Sequence, residues 1–478
     1  MQEMDFTARP RLAVLDLIVL QQPAKQKEVN IVVNKEITNK RDVATEPPIG
    51  NIVVGNTEIG NEQQTEISND PLDTRKVDTI GAQTNVSTES PIVDNTELIL
   101  AADLNNDTIN EMSKLQTMAI DEYINYVNPP AVHKFQNANG EKVLCVKYDN
   151  QISLQSGKNS KGSRDNFVYK NSSVEECPEG SVPIVEITRE RVERAGSLRQ
   201  YLNTGLYDDT KENKEYAVVQ IIPRGSQEIH EIKAAFNVWQ PSVDTSNSVY
   251  SAAQMRVVHR NLDGSINENM EAGLMVYPSH YGSPRVTFYI VHKLSREGEE
   301  QICFDLCCND FIQEGTEFYP GMPVHPISVY DGAQTDSTIS IRRETRDNNT
   351  ENLVWAVYLQ DKLVGHWPAG IFKDLTYYAN WVQIGGHVVV KSADRSTPYP
   401  KTQMGSGHFP KYGYKKAAYI RNIQLFTING VLITESDRSY RVTRESCYGV
   451  QGYMENDNYW GHHINYGGPG GEDLLCTY

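Results

Sequence analysis

The first segment with a candidate catalytic residue is MEAGLMVYP, in which Glu271 is followed by an alanine and a glycine. In a strand every second side chain lies on the same face, and that set here is Glu271, Gly273, Met275 and Tyr277. A carboxylate on a sheet face can act as a general base, and the glycine leaves room for a substrate backbone to approach. From the residues alone, an ordinary strand-end glutamate facing water is the more common explanation.

The second such segment is WVQIGGHVVVK, in which Gly385 and Gly386 precede His387. A strand period of two places His387 on the same face as Val389. Two glycines at the entrance of a strand predict a bulge or the close approach of another backbone. Histidine can act as acid or base near neutral pH, although a lone histidine is more often a hydrogen-bonded structural residue.

Other catalytic motifs are weak or missing from the sequence. It has no GxSxG elbow, HExxH helix, phosphate-binding loop or dinucleotide-type glycine fingerprint. Ser406 lies in a GSG turn without the strand-to-helix context that a nucleophile needs. His462 and His463 are adjacent, so on a strand they point to opposite faces. We therefore predict neither a cofactor nor a metal site.

The elements that must position Glu271 and His387 are short strands. From 216 to 478 the chain alternates apolar segments such as RVTFYIVH and NLVWAVYL with turns rich in Gly, Pro, Asn and Asp. Such strands without long helices between them predict an antiparallel sandwich or barrel. One segment around Ala379, GIFKDLTYYANWV, is predicted to be helical.

A smaller α+β unit is predicted over residues 111–205. Apolar residues at helical spacing lead up to Pro129 and Pro130, which end the helix. A hairpin with its turn at Asn139-Gly140 follows, and then an extended segment and a short helix through Glu190 and Arg194. Residues 1–110 are acidic and polar with few aromatics, which predicts a disordered leader.

Bulk properties exclude some classes of function. The 478 residues carry a net charge of -17, which argues against non-specific nucleic-acid binding because such binding needs a basic face. The mean hydropathy of -0.52 indicates that part of the chain lies outside a core. No stretch approaches the roughly 20 apolar residues of a membrane span. Arg9 and Arg11 precede the short apolar run LAVLDLIVL, which has the outline of a degraded signal peptide. Glycosylation sequons are present at Asn85, Asn106, Asn171 and Asn348.

The seven cysteines favour disulfides in an oxidising compartment. No CxxC pair is followed by a second pair or by spaced histidines, so a structural zinc site is not predicted. Cys447 and Cys476 flank the last glycine-rich stretch and are expected to pair. An odd cysteine must stay a thiol or pair between chains. The partners of Cys145, Cys177 and Cys308 remain open.

Many of these segments together resemble the plant neprosin-like family, the glutamic endopeptidases related to the pitcher-plant prolyl endopeptidase. The matching segments are NPPAVHKFQNANGEKVLCV, CPEGSVPI, NVWQPSV, YSAAQM, EAGLMVYPSHYG, CFDLCCNDFIQ, GHWPAGIF, IGGHVVV, MGSGHFP and YGGPGG. The resemblance implies a removable activation domain at 111–205 and a two-sheet antiparallel β-sandwich peptidase domain at 216–478. It also implies secretion and cleavage after proline at acidic pH. The same family pattern pairs Cys303 with Cys307.

The family's mechanism implies two glutamates facing each other across the sheet, one as base toward water and one as proton donor. Glu271 matches the first, and His387 stands where the family has the second. Leu274 replaces the tryptophan that usually follows the family's EAG glycine. The resemblance also makes Gly273, Tyr277, Gly385 and Gly386 candidates for the substrate cleft.

The replacement predicts altered chemistry. A histidine is a cation at acidic pH, so we expect Glu271 and His387 to form an ion pair in place of a carboxyl pair that shares a proton. We therefore expect peptidase activity on proline-containing substrates to be severely reduced or absent. The alternative is a non-catalytic extracellular relative that binds proline-containing peptides or cell-wall proteins, with the activation domain as its intramolecular partner.

Overall fold

The computed structural model describes residues 106–155, 176–196, 198, 201, 214–225, 227–296, 299–346, 352–391, 399–473 and 475–476. Residues 1–105 of the predicted leader lie outside the described residues, and residues 106–110, which were predicted to be disordered with it, form the start of a helix. The chain divides into two compact units, and all described residues from Lys114 onward belong to the same one.

An N-terminal α+β part precedes the main sheets. Its elements in chain order are α1 (Asn106–Val127), β1 (Ala131–Gln136), β2 (Lys142–Lys147), α2 (Ile152–Gln155), β3 (Ser181–Val185) and α3 (Arg189–Arg194). The strands form an antiparallel sheet in the order β1-β2-β3, so the predicted helix, hairpin and short helix are all present. No helix in the described ranges is both long enough and apolar enough to cross a membrane.

The remaining elements form two packed antiparallel sheets. In chain order they are β4 (Lys214–Pro223), β5 (Glu231–Asn237), β6 (Ser248–Val258), β7 (Asn269–Val276), α4 (Pro278–Tyr281), β8 (Thr287–Arg296), β9 (Glu299–Phe304), β10 (Ile312–Gln313), β11 (Asp336–Thr345), β12 (Leu353–Leu359), β13 (Lys362–Pro368), β14 (Trp381–Val390), β15 (Ala418–Phe426), β16 (Ser436–Val442), β17 (Gly449–Met454) and β18 (His462–Gly467). One sheet has the order β10-β13-β12-β11-β5-β15-β18-β17 and the other β16-β4-β14-β6-β7-β8-β9. The predicted all-β sandwich is confirmed.

The core lies between the two sheets and follows the strand period of two. On β7 it takes Met270, Ala272, Leu274 and Val276, while Met275 belongs to a separate apolar cluster on the opposite face. On β14, Ile384, Val388 and Val390 enter the core and Val389 belongs to that second cluster. The face of the seven-stranded sheet that points away from the core is called the site face below.

The helix predicted around Ala379 is wrong. Ala369–Ile371 forms a single 3-10 turn, and Ala379 pairs with Ile229 in an isolated β-bridge. The loop between them is held by the buried Glu268 carboxylate, which accepts hydrogen bonds from the backbone N–H groups of Lys373 and Asp374 at 2.7–2.9 Å. A long-range carboxylate thus satisfies donors that a helix would otherwise have satisfied.

Three disulfides link Cys145 to Cys177, Cys303 to Cys308 and Cys447 to Cys476. The expected Cys447–Cys476 bond is confirmed, but the Cys303–Cys307 pairing implied by the resemblance is wrong. Cys307 points toward the N-terminal part, where its thiol donates to the Tyr201 hydroxyl at 3.4 Å. Cys308 lies with its Cα 5.6 Å from that of Cys303, inside the range a disulfide spans.

Candidate functional site

Glu271 and His387 lie on the site face of the same sheet. Glu271 is on β7 and His387 on β14, with β6 between them. Both side chains are almost completely buried, at 1% and 2% exposure. The two positions that the resemblance implies on one sheet therefore share a face of it.

The two residues are offset along the strands. Glu271 pairs with Arg256 of β6, whereas His387 pairs with Ala252, four residues away on the same strand. Two strand spacings and a four-residue offset along the strands therefore separate the two positions. The direct Glu271–His387 ion pair expected from the sequence is therefore wrong, because period-two counting fixes the face and leaves the register open.

His387 is also not the cation that was expected. Burial, followed by the charges of Lys214 and Arg256, holds the pKa of His387 well below its ordinary value of 6.5. The imidazole is therefore neutral at neutral pH. Protonation of the ring costs more free energy in this buried, positive environment than it does in water.

Tyrosines fix the orientation of the His387 ring. Tyr216 stacks on it with ring centroids 4.5 Å apart, and Tyr250 meets it edge-on at 5.2 Å. The Tyr250 hydroxyl lies 3.3 Å from His387 Nδ1. If that hydroxyl donates, the imidazole proton sits on Nε2, and Nε2 is buried with no hydrogen-bond partner in the described part of the chain. The ring thus offers a donor into the site.

Glu271 is held from the neighbouring strand. The Tyr289 hydroxyl donates a short hydrogen bond to Glu271 Oε1, and the Tyr289 ring stacks on Phe304 at 5.9 Å. Burial and then the Glu271 carboxylate raise the pKa of Tyr250 well above 10, which links the carboxylate electrostatically to the tyrosine at His387. A fixed, buried carboxylate of this kind can orient and deprotonate a water molecule.

The candidate glycines have structural roles as well. A Cβ at Gly273 would lie 2.1 Å from the carbonyl oxygen of Ala253. Gly385 has φ +147°, and a Cβ there would lie 2.4 Å from the carbonyl oxygen of Ala217. The predicted close approach of another backbone is therefore present at Gly385, and a Cβ at Gly386 would lie 2.3 Å from Met404 Sδ.

Sequence reasoning missed Gln254, which occupies the row between Glu271 and His387. It pairs with Gly273 on one side and with Gly385 on the other. The side chain is 1% exposed, and its Nε2 has no hydrogen-bond partner among the described residues. The signal was a polar residue inside the apolar strand SVYSAAQMRVV. A buried amide donor between two glycines can bind a substrate carbonyl oxygen.

Tyr277, the remaining cleft candidate, lies beneath the N-terminal part. It packs against Tyr250 at 5.4 Å and stacks on His280 at 5.2 Å, and burial raises the pKa of Tyr277 to about 12. His280 in turn stacks on Tyr201 at 5.3 Å. Arg191 of α3 completes this contact with its Nη2 2.6 Å from His280 Nε2. The N-terminal part thus covers this end of the site face.

A cavity of about 630 Å³ opens at the other end, on the strands that carry His387 and Arg256. The residues that line it are Lys214, Glu215, Tyr216, Gln220, Arg256, Arg260, Gly264, Ile266, Trp381, Gln383, Arg441, Thr443 and Arg444. Gln383 pairs with Arg256, which pairs with Glu271, so two residues that line the cavity share a cross-strand row with Glu271.

One grouping of potential metal ligands was found among the described residues, namely His292, Cys303 and Asp310. Cys303 is bonded to Cys308, and His292 Nδ1 accepts a hydrogen bond from Trp367 at 3.1 Å. Because the disulfide engages the Cys303 sulfur, the grouping offers two ligand atoms, His292 Nε2 and an Asp310 oxygen, and not three.

The chain was compared with known families and solved structures. Residues 247–469 match the family model described as Neprosin. A scytalido-glutamic peptidase with a transition-state analog inhibitor is 10% identical, with 53% of this chain and 98% of that chain covered and a TM-score of 0.25. A kappa-carrageenase from Pseudoalteromonas carrageenovora is 8% identical, with 52% and 79% covered and a TM-score of 0.19.

Proposed function

We propose that this chain, whose residues 247–469 match the Neprosin family model, is a neprosin-like protein with a glutamic-peptidase scaffold and weak or lost endopeptidase activity on proline-containing peptides. Glu271 is the retained base and His387 occupies the position of the second glutamate. The observation that carries the proposal is the state of His387, a buried, neutral imidazole at a position that needs a proton donor.

Peptide hydrolysis needs a base for water, a donor for the carbonyl oxygen and a proton for the leaving amine. Glu271 can supply the first, and the Gln254 amide and the His387 Nε2 proton can supply the second. The third is missing, because a neutral imidazole holds its remaining proton tightly and its protonated form is disfavoured by burial. Loss of a general acid costs about 10²–10⁴-fold in rate.

The second candidate function is non-catalytic binding of proline-containing peptides or cell-wall proteins. It is favoured by the same observation, since the donors of Gln254 and His387 remain in place although the acid is missing. We propose secretion for both candidates, supported by three disulfides among the described residues, which persist in oxidising compartments. Cleavage after proline and release of an activation domain belong to the same proposal.

The test is cleavage of proline-containing peptides from acidic to neutral pH by the full chain and by His387→Glu. We expect the wild type near background at acidic pH and a gain of about 10²-fold in the variant, since a protonatable carboxyl restores the acid. His133→Glu, an exposed strand histidine in the N-terminal part, is the matched control and should gain nothing.

The double variant Glu271→Gln, His387→Glu should lose the gained activity, because the base is removed. Strong acidic cleavage by the wild type that survives Glu271→Gln would refute the proposed roles of both residues. Binding of the intact peptide by the wild type without cleavage would support the non-catalytic candidate.

A further inference from the structure

The cavity at the open end of the site face is strongly basic. Five of its lining residues are cations, namely Lys214, Arg256, Arg260, Arg441 and Arg444. Glu215 is the single carboxylate that lines it, and this carboxylate is engaged by Arg444 at 2.9 Å and by the Thr443 hydroxyl. The whole chain carries a net charge of -17, so this concentration of positive charge runs against the overall balance.

The cavity also adjoins the candidate site. Tyr216 lines the cavity, stacks on His387 at 4.5 Å, and lies beneath the Arg441 guanidinium at 5.1 Å. Lys214 and Arg256 are near enough to His387 to lower the pKa of its imidazole. A peptide extended along the site face would therefore place neighbouring side chains in this positive field.

A buried polar group points to a ligand independently of the charge. Gln383 lines the cavity, is 2% exposed, and its Nε2 has no hydrogen-bond partner in the ranges that the structure describes. Buried amide donors are normally satisfied, so an unpaired one at a cavity wall marks a place where a bound acceptor would be stabilised.

We propose that this basic cavity binds the carboxylate side chains of an acidic peptide, so that the site face selects chains with Asp or Glu near the segment at Glu271. Arg260 and Arg441 are exposed at the cavity and offer guanidinium groups, which pair with carboxylates in a two-pronged geometry. Gln383 would donate to the bound carboxylate or to the adjacent backbone. This inference depends on the proposed function in one respect only, namely that the ligand is a peptide.

An acidic polysaccharide is the competing ligand, and the site favours a peptide. The cations that line the cavity lie on β4, β6, β16 and the residues that follow these strands, whereas Tyr250, Tyr277 and Phe304 form one apolar cluster along β6 to β9. A polymer with charge on every unit would need cations along its whole length. A peptide can carry acidic residues at one end and apolar residues or proline at the other.

The experiment uses the full chain with Glu271→Gln, so that no peptide is cut during a binding titration. Three labelled proline-containing peptides differ only in carrying two Asp, two Asn or two Lys beside the proline segment. We expect the Asp peptide to bind about 10-fold more tightly than the Asn peptide, as for two partly exposed ion pairs. The difference should shrink as salt is added.

Substitution of the exposed arginines tests whether the preference for the Asp peptide arises in the cavity. Arg260→Gln and Arg441→Gln should each weaken binding of the Asp peptide about 3-fold and leave the Asn peptide unchanged. Arg224→Gln removes an exposed arginine that directly follows β4 and does not line the cavity, and should leave both affinities unchanged.

Equal binding of the Asp and Asn peptides would overturn this inference while the proposed function stands. Arginine-dependent binding of oligogalacturonate, without any preference for the Asp peptide, would overturn it in favour of a polysaccharide. Failure of His387→Glu to gain cleavage would count against the proposed function, and a retained Asp preference would still support the cavity's role.

Discussion

Substitution of Asp305 should change how the stability of the folded protein depends on pH. Asp305 follows β9 and is 6% exposed, with its carboxylate accepting from the Ile290 N–H at 3.1 Å and from the Tyr281 hydroxyl at 2.9 Å. Burial raises the pKa of Asp305 from 3.8 to about 7, against the opposing effect of Arg191. A carboxyl with a raised folded pKa stabilises the fold below its unfolded pKa, and that contribution is lost as the pH rises through the folded pKa.

The gap between 3.8 and about 7 corresponds to roughly 4 kcal/mol at neutral pH. Asp305→Asn removes the ionisation while the amide oxygen can still accept from Ile290 and the amide nitrogen can donate to Tyr281. The backbone at Asp305 has φ +47°, which asparagine tolerates well. The variant should therefore gain stability over the wild type at neutral pH and gain nothing near the unfolded pKa.

The assay is thermal unfolding of the full chain, followed by tryptophan fluorescence from acidic to neutral pH. We expect the Tm difference between variant and wild type to grow with pH to about 8 °C, at about 2 °C per kcal/mol for a domain of this size. Taking the difference cancels other titrations, such as that of His280, whose pKa burial lowers well below 6.5.

Asp331→Asn is the matched control, since Asp331 is exposed and also has a positive φ of 54°. Its Tm difference should stay flat with pH. A flat difference for Asp305→Asn, or one that grows toward acidic pH, would refute the assignment of a raised pKa to this carboxyl.

Three further predictions concern disulfides, the missed amide and a glycine. Non-reducing peptide mapping should find Cys303 joined to Cys308. Cys307 should be alkylated only after unfolding, because its thiol is buried, and a Cys303–Cys307 peptide would contradict the structure. Gln254→Leu should raise stability by about 1 kcal/mol, because a buried unpaired amide is costly, and should weaken peptide binding; unchanged peptide affinity would remove Gln254 from the site. Gly385→Ala should lower stability by about 2–4 kcal/mol through overlap with the adjacent strand, and an unchanged Tm would exclude that contact.

Local patterns predicted much of the fold because they depend on near neighbours in the chain. The alternation around Glu271 gave the correct face of β7, and the Asn139-Gly140 turn gave the hairpin of β1 and β2. The helix predicted around Ala379 failed because its backbone donors are satisfied by Glu268, a carboxylate more than 100 residues earlier in the chain. Local propensity carries no information about such a partner.

The sequence by itself determined that Glu271 and His387 belong to strands of an antiparallel β-fold, and which of their strand neighbours share a face with each. The tertiary structure alone decided how they relate, because register depends on the pairing of β6 with both strands and a side-chain period of two cannot specify it. It also decided that His387 is neutral, since burial between tyrosines and the nearby cations set its pKa. The chemistry of these residues depends on surroundings assembled from distant parts of the chain.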